Sequence, residues 1–237
     1  MHYVLIHTMD EGLDVSDVRA ARIEVDLRRW LDDTIPSGVN LQGSRLRPTG
    51  DATTVRVSHD DVMITDGPFA ETKEQVVGYD ILECPSLDEA LTWAARHPTA
   101  VLGAIEVRSL DGTATSVTLP DPRPGTQRYV MLVCVREGVE LSADEAAAMG
   151  PATDAWVSEC DARGTRLFGS ALAPRGDART LRVIEGQLMV SDGPFAETKE
   201  FIAGFDVLEC ADLDEALDVA TRHPVARIGA LELRPFW

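Results

Sequence analysis

A shift of 126 residues aligns this 237-residue chain on itself without a gap. Tyr3-Val4 falls on Tyr129-Val130, Trp30 on Trp156, and Gly43-Ser44 on Gly169-Ser170. "GYDILEC" from Gly78 falls on "GFDVLEC" from Gly204, "LDEAL" from Leu87 on the same letters from Leu213, and "RHP" from Arg96 on "RHP" from Arg222. Between residues 1–111 and 127–237, 49 of 111 positions are identical. The chain is therefore two copies of one domain, and whatever fold it adopts must be built twice. The intervening "SLDGTATSVTLPDPRPGT" (Ser109–Thr126) is rich in Thr, Pro, Asp and Gly and reads as a linker. The chain divides into repeat 1 at 1–110, a linker at 111–126 and repeat 2 at 127–237.

The identities are uneven. From Leu13–Ser37 against Val139–Arg163 only 4 of 25 positions match, whereas "DGPFAETKE" stands unchanged at Asp66–Glu74 and Asp192–Glu200. Duplication made two copies of that motif, and later divergence spared both.

Patterning predicts the elements of the unit. Each copy opens on a β-rich run, "YVLIH" or "YVMLVC". In repeat 1 an apolar stripe of Val18, Ala21, Ile23, Leu27, Trp30 and Leu31 predicts a helix. In repeat 2 the "SADE" at Ser142 is a capping box, with a kink or restart expected at Gly150-Pro151. A strand follows near Leu41–Leu46 and Leu167–Leu172. Next comes a hairpin turning at His59-Asp60 or Glu185-Gly186. The motif leads into the strand "VVGYDILEC"; a second helix is capped by Ser86 or Asp212 and ended near "RHP", and "GAIEVR" or "GALELR" closes the unit. Without the hairpin this is β-α-β-β-α-β, a ferredoxin-like α+β pattern that covers only one sheet face. Two fused copies are expected to pack bare sheet on bare sheet, a pseudo-twofold α+β barrel and an internal pseudo-dimer in one chain. Further self-association is left open.

Composition narrows the function classes. A formal net charge of −18 repels phosphate backbones, so no direct nucleic-acid partner is expected. No apolar run approaches a membrane span, and "MHYVLIHTMDEG" lacks the regions of a signal peptide, so a cytoplasmic protein with no membrane partner is expected. Cys84, Cys134, Cys160 and Cys210 form no CxxC pair and read as small buried hydrophobes. There is no P-loop, dinucleotide fingerprint or spaced metal set, so neither cofactor nor metal is expected.

With "YVLIH", "ATTVR" at Ala52–Arg56, "GYDILEC", "LDEAL", "GAIEVR" and above all "DGPFAETKE", the chain resembles the YCII-related family, DGPF subgroup. The resemblance implies a dimeric α+β barrel fold and a cytoplasmic bacterial protein, in a subgroup whose genes often neighbour those of extracytoplasmic-function sigma factors. It implies no reaction. The wider family includes a dehydrochlorinase-type enzyme, and some members carry a His–Asp pair proposed as catalytic, with the His on the first helix. Here the histidines are His2, His7, His59, His97 and His223, none of them in a first helix, although Asp32, Asp33 and Asp161 lie near the acidic position. The His–Asp mechanism is therefore not carried over.

Within the motif, Asp-Gly-Pro is turn chemistry and Phe69 or Phe195 an anchor. "ETKE" needs more explanation, because Lys73 and Lys199 are the chain's only lysines among 22 basic residues. One reading is a small pocket in which Lys73 or Lys199 stabilises negative charge. Asp66 or Asp192, or Glu71 or Glu197, would then shuttle a proton. The other is an internally satisfied structural loop. Arg56 and Arg182, on the strand before the motif, suit either an anionic substrate or a local carboxylate. His97 and His223 precede a helix-ending proline and read as cations at a helix C-terminus. His7 is Val133 in repeat 2 and so has no shared role. Three functions remain open: a small-molecule binding or sensory protein, a cofactor-free isomerase or lyase, and an interaction module.

Overall fold

The computed structural model describes residues 1–58, 61–111, 117–196 and 198–237; the turn expected at His59-Asp60 lies outside them. Repeat 1 contains β1 (His2–Met9), α1 (Asp17–Thr34), β2 (Asn40–Arg45), β3 (Thr53–Ser58), β4 (Asp61–Asp66), β5 (Gln75–Glu83), α2 (Leu87–Arg96) and β6 (Ala104–Asp111). Repeat 2 contains β7 (Gln127–Arg136), α3 (Ala143–Arg163), β8 (Arg166–Leu172), β9 (Arg179–Ile184), β10 (Gln187–Asp192), β11 (Glu200–Cys210), α4 (Leu213–Thr221) and β12 (Gly229–Pro235). Each repeat is ferredoxin-like with an inserted hairpin, and the class is α+β.

Local chemistry sets the boundaries. Ser86 and Asp212 accept from the backbone N–H of Glu89 and Glu215, and Ser142 with Glu145 forms the full capping box. Glu185 and Gly186 both have positive φ, 51° and 78°, the geometry of a type I′ hairpin turn. Of the kink or restart expected at Gly150-Pro151, the restart does not occur: α3 runs as one helix with Pro151 inside it. Pro151 takes an N–H away from the Ala147 carbonyl, but Ala147 is exposed and water can satisfy it.

The compact units do not coincide with the repeats. One unit is residues 1–45, 72–118 and 172–197; the other is 46–71, 119–171 and 198–237. The first has an antiparallel sheet in the order β2-β5-β1-β6-β9-β10. The second has the order β8-β11-β7-β12-β3-β4. Each hairpin thus extends the sheet of the unit built mainly from the other repeat. Leu181 of β9 pairs with Ile105 of β6, and both lie fully buried in one core with Tyr3, Leu5, Trp30 and Ala94. Val55 of β3 pairs with Leu231 of β12 in the other core, with Met131, Trp156 and Val219. The outer strands β4 and β10 leave Val62, Met63 and Ile64, and Leu188, Met189 and Val190, about half exposed.

Two expectations need adjustment. The α1 stripe is buried only toward its C-terminal half: Trp30 is 2% exposed but Val18 is 83% exposed. The linker is held at its far end. The Arg123 and Arg128 side chains, the Arg123 N–H and the Thr126 hydroxyl all donate to the buried Glu209 carboxylate. Burial alone raises the Glu209 pKa; those donors outweigh it and hold the group at about 2.

Candidate functional site

The motif occupies the place where the chain leaves one compact unit for the other, between Glu71 and Thr72 and again between Glu197 and Thr198. Its first part is fastened to the hairpin. Gly67 has φ +98° and Gly193 +93°, left-handed values that favour glycine. The N–H of Gly67 donates to the Ala52 carbonyl and its carbonyl accepts from the Thr54 hydroxyl; Gly193 repeats this with Ala178 and Thr180. The Phe69 N–H donates to buried Glu232 at 2.9 Å, and the Phe195 N–H to buried Glu106 at 3.1 Å. The expected aromatic anchor is therefore reinforced through the main chain, with the rings only half-buried.

The motif's last residue is fastened by arginine. Arg182 grips Glu74 through two contacts of 2.5 and 2.6 Å, and Arg56 grips Glu200 through two of 2.7 Å. Of the anionic substrate and the local carboxylate that suit these arginines in sequence, the structure supplies carboxylates, though not local ones. The partners are 108 and 144 residues away, brought in by the hairpin exchange. The other candidates face water. Lys73 is 85% exposed, with Asp10 at 4.0 Å, and Lys199 is exposed. Asp66 and Glu71 are exposed, and Asp192 pairs with Arg179 at 3.1 Å. Glu197 lies outside the described residues.

A second constellation is buried in the first unit, where the sequence reading placed no site. β1 carries His7 and β5 carries Asp80 on the face that meets the helices; His97 follows α2. His7 Nε2 lies 2.7 Å from Asp80 Oδ2, and Asn40 Nδ2 donates to Asp80 Oδ1 at 2.9 Å. The His97 and His7 rings lie 4.2 Å apart, and Trp30 stands edge-on to His97 at 4.8 Å. Among the described residues Asp80 has no arginine or lysine partner, and His7 Nδ1 and Asn40 Oδ1 are buried without a hydrogen bond.

The spacing of His7, Asp80 and His97 is that of a metal site, but the donor chemistry does not fit one. His97 Nδ1 accepts the Thr99 N–H at 3.2 Å, so the ring proton sits on Nε2, the atom that faces Asp80 at 3.8 Å. A ligating imidazole needs the reverse, a donor on its far nitrogen. The same bond corrects the expected role of His97. Burial first, then the neighbouring His7, pushes its pKa well below the ordinary value. It is a neutral N-cap acceptor for the following 3-10 turn (Pro98–Val101), not a helix-end cation. His223 caps Pro224–Arg227 in the same way, its pKa lowered to about 4 chiefly by burial.

The second unit keeps the scaffold and changes the chemistry. Asp206 replaces Asp80 in position, Trp156 stands edge-on to His223, and Val133 takes the place of His7. Asn40 becomes Arg166, whose Nε lies 2.7 Å from Asp206 Oδ1. The glycine opposite each aspartate is required: a Cβ on Gly43 would lie 2.0 Å from Asp80 Oδ1, and one on Gly169 1.9 Å from Asp206 Oδ1. The identities mark this scaffold. The signal for the site lay in two substitutions upon it, His7 for Val133 and Asn40 for Arg166.

The YCII-related domain model matches residues 1–111 and 128–237. "Uncharacterized protein R00369" of Rhizobium meliloti (strain 1021) is 48% identical over 69 residues, which are 28% of this chain. The chain spans 56% of that relative's length. The crystal structure of the "Putative Chlorite dismutase TA0507" superposes with a TM-score of 0.52 at 11% identity, over 100% of this chain and 94% of that one, a likeness of fold. With both repeats matched along nearly their whole length, the chain belongs to the YCII-related family.

Proposed function

We propose that this protein binds a small molecule at one site, in the first unit, formed by His7, Asp80 and Asn40. The observation that carries this reading is that two buried polar atoms without partners, His7 Nδ1 and Asn40 Oδ1, both lie on side chains that hold Asp80. An unmet buried polar atom costs about 1–3 kcal/mol, a cost that a ligand would offset. The second unit, with an arginine on its aspartate and a valine for the histidine, serves as the structural partner. The setting that the resemblance implies, beside extracytoplasmic-function sigma factors, suits a sensory protein. The exposed loop residues Lys73 and Lys199 have no direct part in this site. A thermal-shift screen should find a compound whose stabilisation disappears in His7→Val; a hit that stabilises His7→Val equally would remove the site.

A second reading, a cofactor-free isomerase or lyase, is favoured by the His7–Asp80 pair. With Nε2 held by the carboxylate, Nδ1 is the atom that can take or give a proton. On that reading, turnover of the compound found in the screen falls about 10²–10⁴-fold in His7→Val. Binding without turnover leaves the first reading alone.

A further inference from the structure

We infer that the first unit's site takes a guanidinium or amidinium group of a small compound, seated on Asp80 in the place that the Arg166 side chain fills on Asp206. The inference rests on the proposed binding role and names the ligand's chemistry.

The second unit supplies the template. Arg166 Nε meets Asp206 Oδ1 at 2.7 Å, its Nη1 reaches Asp161 at 3.3 Å, and its Nη2 lies 2.6 Å from where a Gly169 Cβ would stand. The guanidinium thus lies over the glycine, a position that no Cβ obstructs. In the first unit Asn40 Nδ2 reproduces only the Nε contact, at 2.9 Å to Asp80 Oδ1. The counterpart of the Arg166 Nη2 is missing from the atoms closest to the glycine: the three nearest the Gly43 Cβ position belong to Asp80 and the Tyr79 backbone. Ile35 stands where Asp161 would be.

The unmet atoms have the matching polarity. Asn40 Oδ1 is an acceptor, and so is His7 Nδ1 when Nε2 donates to Asp80. The Asp80 carboxylate already accepts from Asn40 and His7, and the protonated His97 Nε2 stands 3.8 Å from it, but the two unmet acceptors remain, and among the described residues no arginine or lysine reaches the aspartate. A planar cation with several N–H groups answers all three needs, and does so more fully than an ammonium. A chain of net charge −18 also draws cations toward it.

The test is calorimetric titration of the full chain with methylguanidinium, at constant ionic strength. N-acetylarginine amide runs in parallel to separate a free small compound from a peptide arginine. One methylguanidinium site is expected, at least about tenfold weakened in Asn40→Arg, which supplies the group internally. Asn40→Arg with His7→Val, the second unit's own combination, guards against misfolding and should bind equally poorly. In the opposite direction, Arg166→Asn should regain thermal stability on adding methylguanidinium. Wild-type binding no tighter than that of the two filled variants would overturn the inference. If that occurs while the screen still yields a compound lost in His7→Val, the ligand class fails and the binding site stands.

Discussion

Asp80 and Asp206 occupy the same register of the same strand in two copies of one domain, yet each has different partners. Asp206 has a guanidinium partner, so its unit closes upon itself. Asp80 has an imidazole and an amide, and two polar atoms beside it remain unmet. The surrounding parts were held: a glycine opposite, an edge-on tryptophan and a capping histidine. The contrast teaches that duplication lets one copy settle its buried carboxylate with an arginine while the other leaves two buried polar atoms unmet, at a cost in stability. Identity between the copies therefore marks the scaffold, and difference marks what lies against the carboxylate.

The largest effect that would test this comparison is on folding. Asp206→Asn takes from Arg166 its buried partner and leaves it only the exposed Asp161 at 3.3 Å, so a loss toward the lower end of the about 3–5 kcal/mol for a broken buried pair is expected. Asp80→Asn breaks hydrogen bonds to groups that can adapt, and about 1 kcal/mol is expected. Urea unfolding of the two variants measures both. Equal losses would erase the asymmetry.

Next comes pH. His223 has a folded pKa of about 4, below its unfolded value near 6.5, so between these values the unfolded chain binds more protons. Its contribution to stability is complete above pH about 6.5 and is lost as pH falls toward 4, up to about 3 kcal/mol in all. His97, shifted the same way, adds to the slope. His223→Asn keeps a capping acceptor and removes the titration; denaturation at pH 7 and pH 4.5 should show a shallower loss. An unchanged slope would place the acid sensitivity elsewhere.

Arg182→Ala should have a smaller effect. It frees Glu74, but both side chains are partly solvated, so about 1–2 kcal/mol is expected rather than the full cost of a buried pair. Arg56→Ala should have an effect of the same order: it also loses contacts to the Gly229 and Phe69 carbonyls, but Glu200 keeps Arg136 at 3.6 Å. A large difference between the two would show that the motif serves the units unequally.

What could be read from the sequence follows from range. Caps, turns and strand alternation depend on residues a few positions apart, so Ser86, Ser142, Asp212 and the Glu185-Gly186 turn announced themselves. The repeat was visible as letters, and the α+β class followed from it. The exchange of hairpins was not, since no local pattern says whether β9 pairs beside its own repeat or beside β6. For the same reason the partners of Arg56 and Arg182 stayed hidden. His7 and Asp80 meet through the β1–β5 register across 73 residues. Val133 in place of His7 argues against a role shared by both copies, and it leaves open a role confined to one.

The smallest expected effect concerns the lysines that made the motif conspicuous. Lys73 extends into water with one carboxylate 4.0 Å away, and Lys199 is likewise exposed. Surface pairs of this kind contribute about 0–1 kcal/mol, and truncation of an exposed side chain usually stays within about 0.5 kcal/mol. Lys73→Met with Lys199→Met should therefore unfold at nearly the wild-type urea concentration and bind the screened compound unchanged. The motif's retention is already accounted for by its other residues: a left-handed glycine, a main-chain anchor to a buried glutamate, and a terminal glutamate gripped by arginine. If the double variant instead loses ligand binding while its stability holds, the loop belongs to the site. The contrast between the two aspartates would then have to share the functional role with a feature that both copies kept.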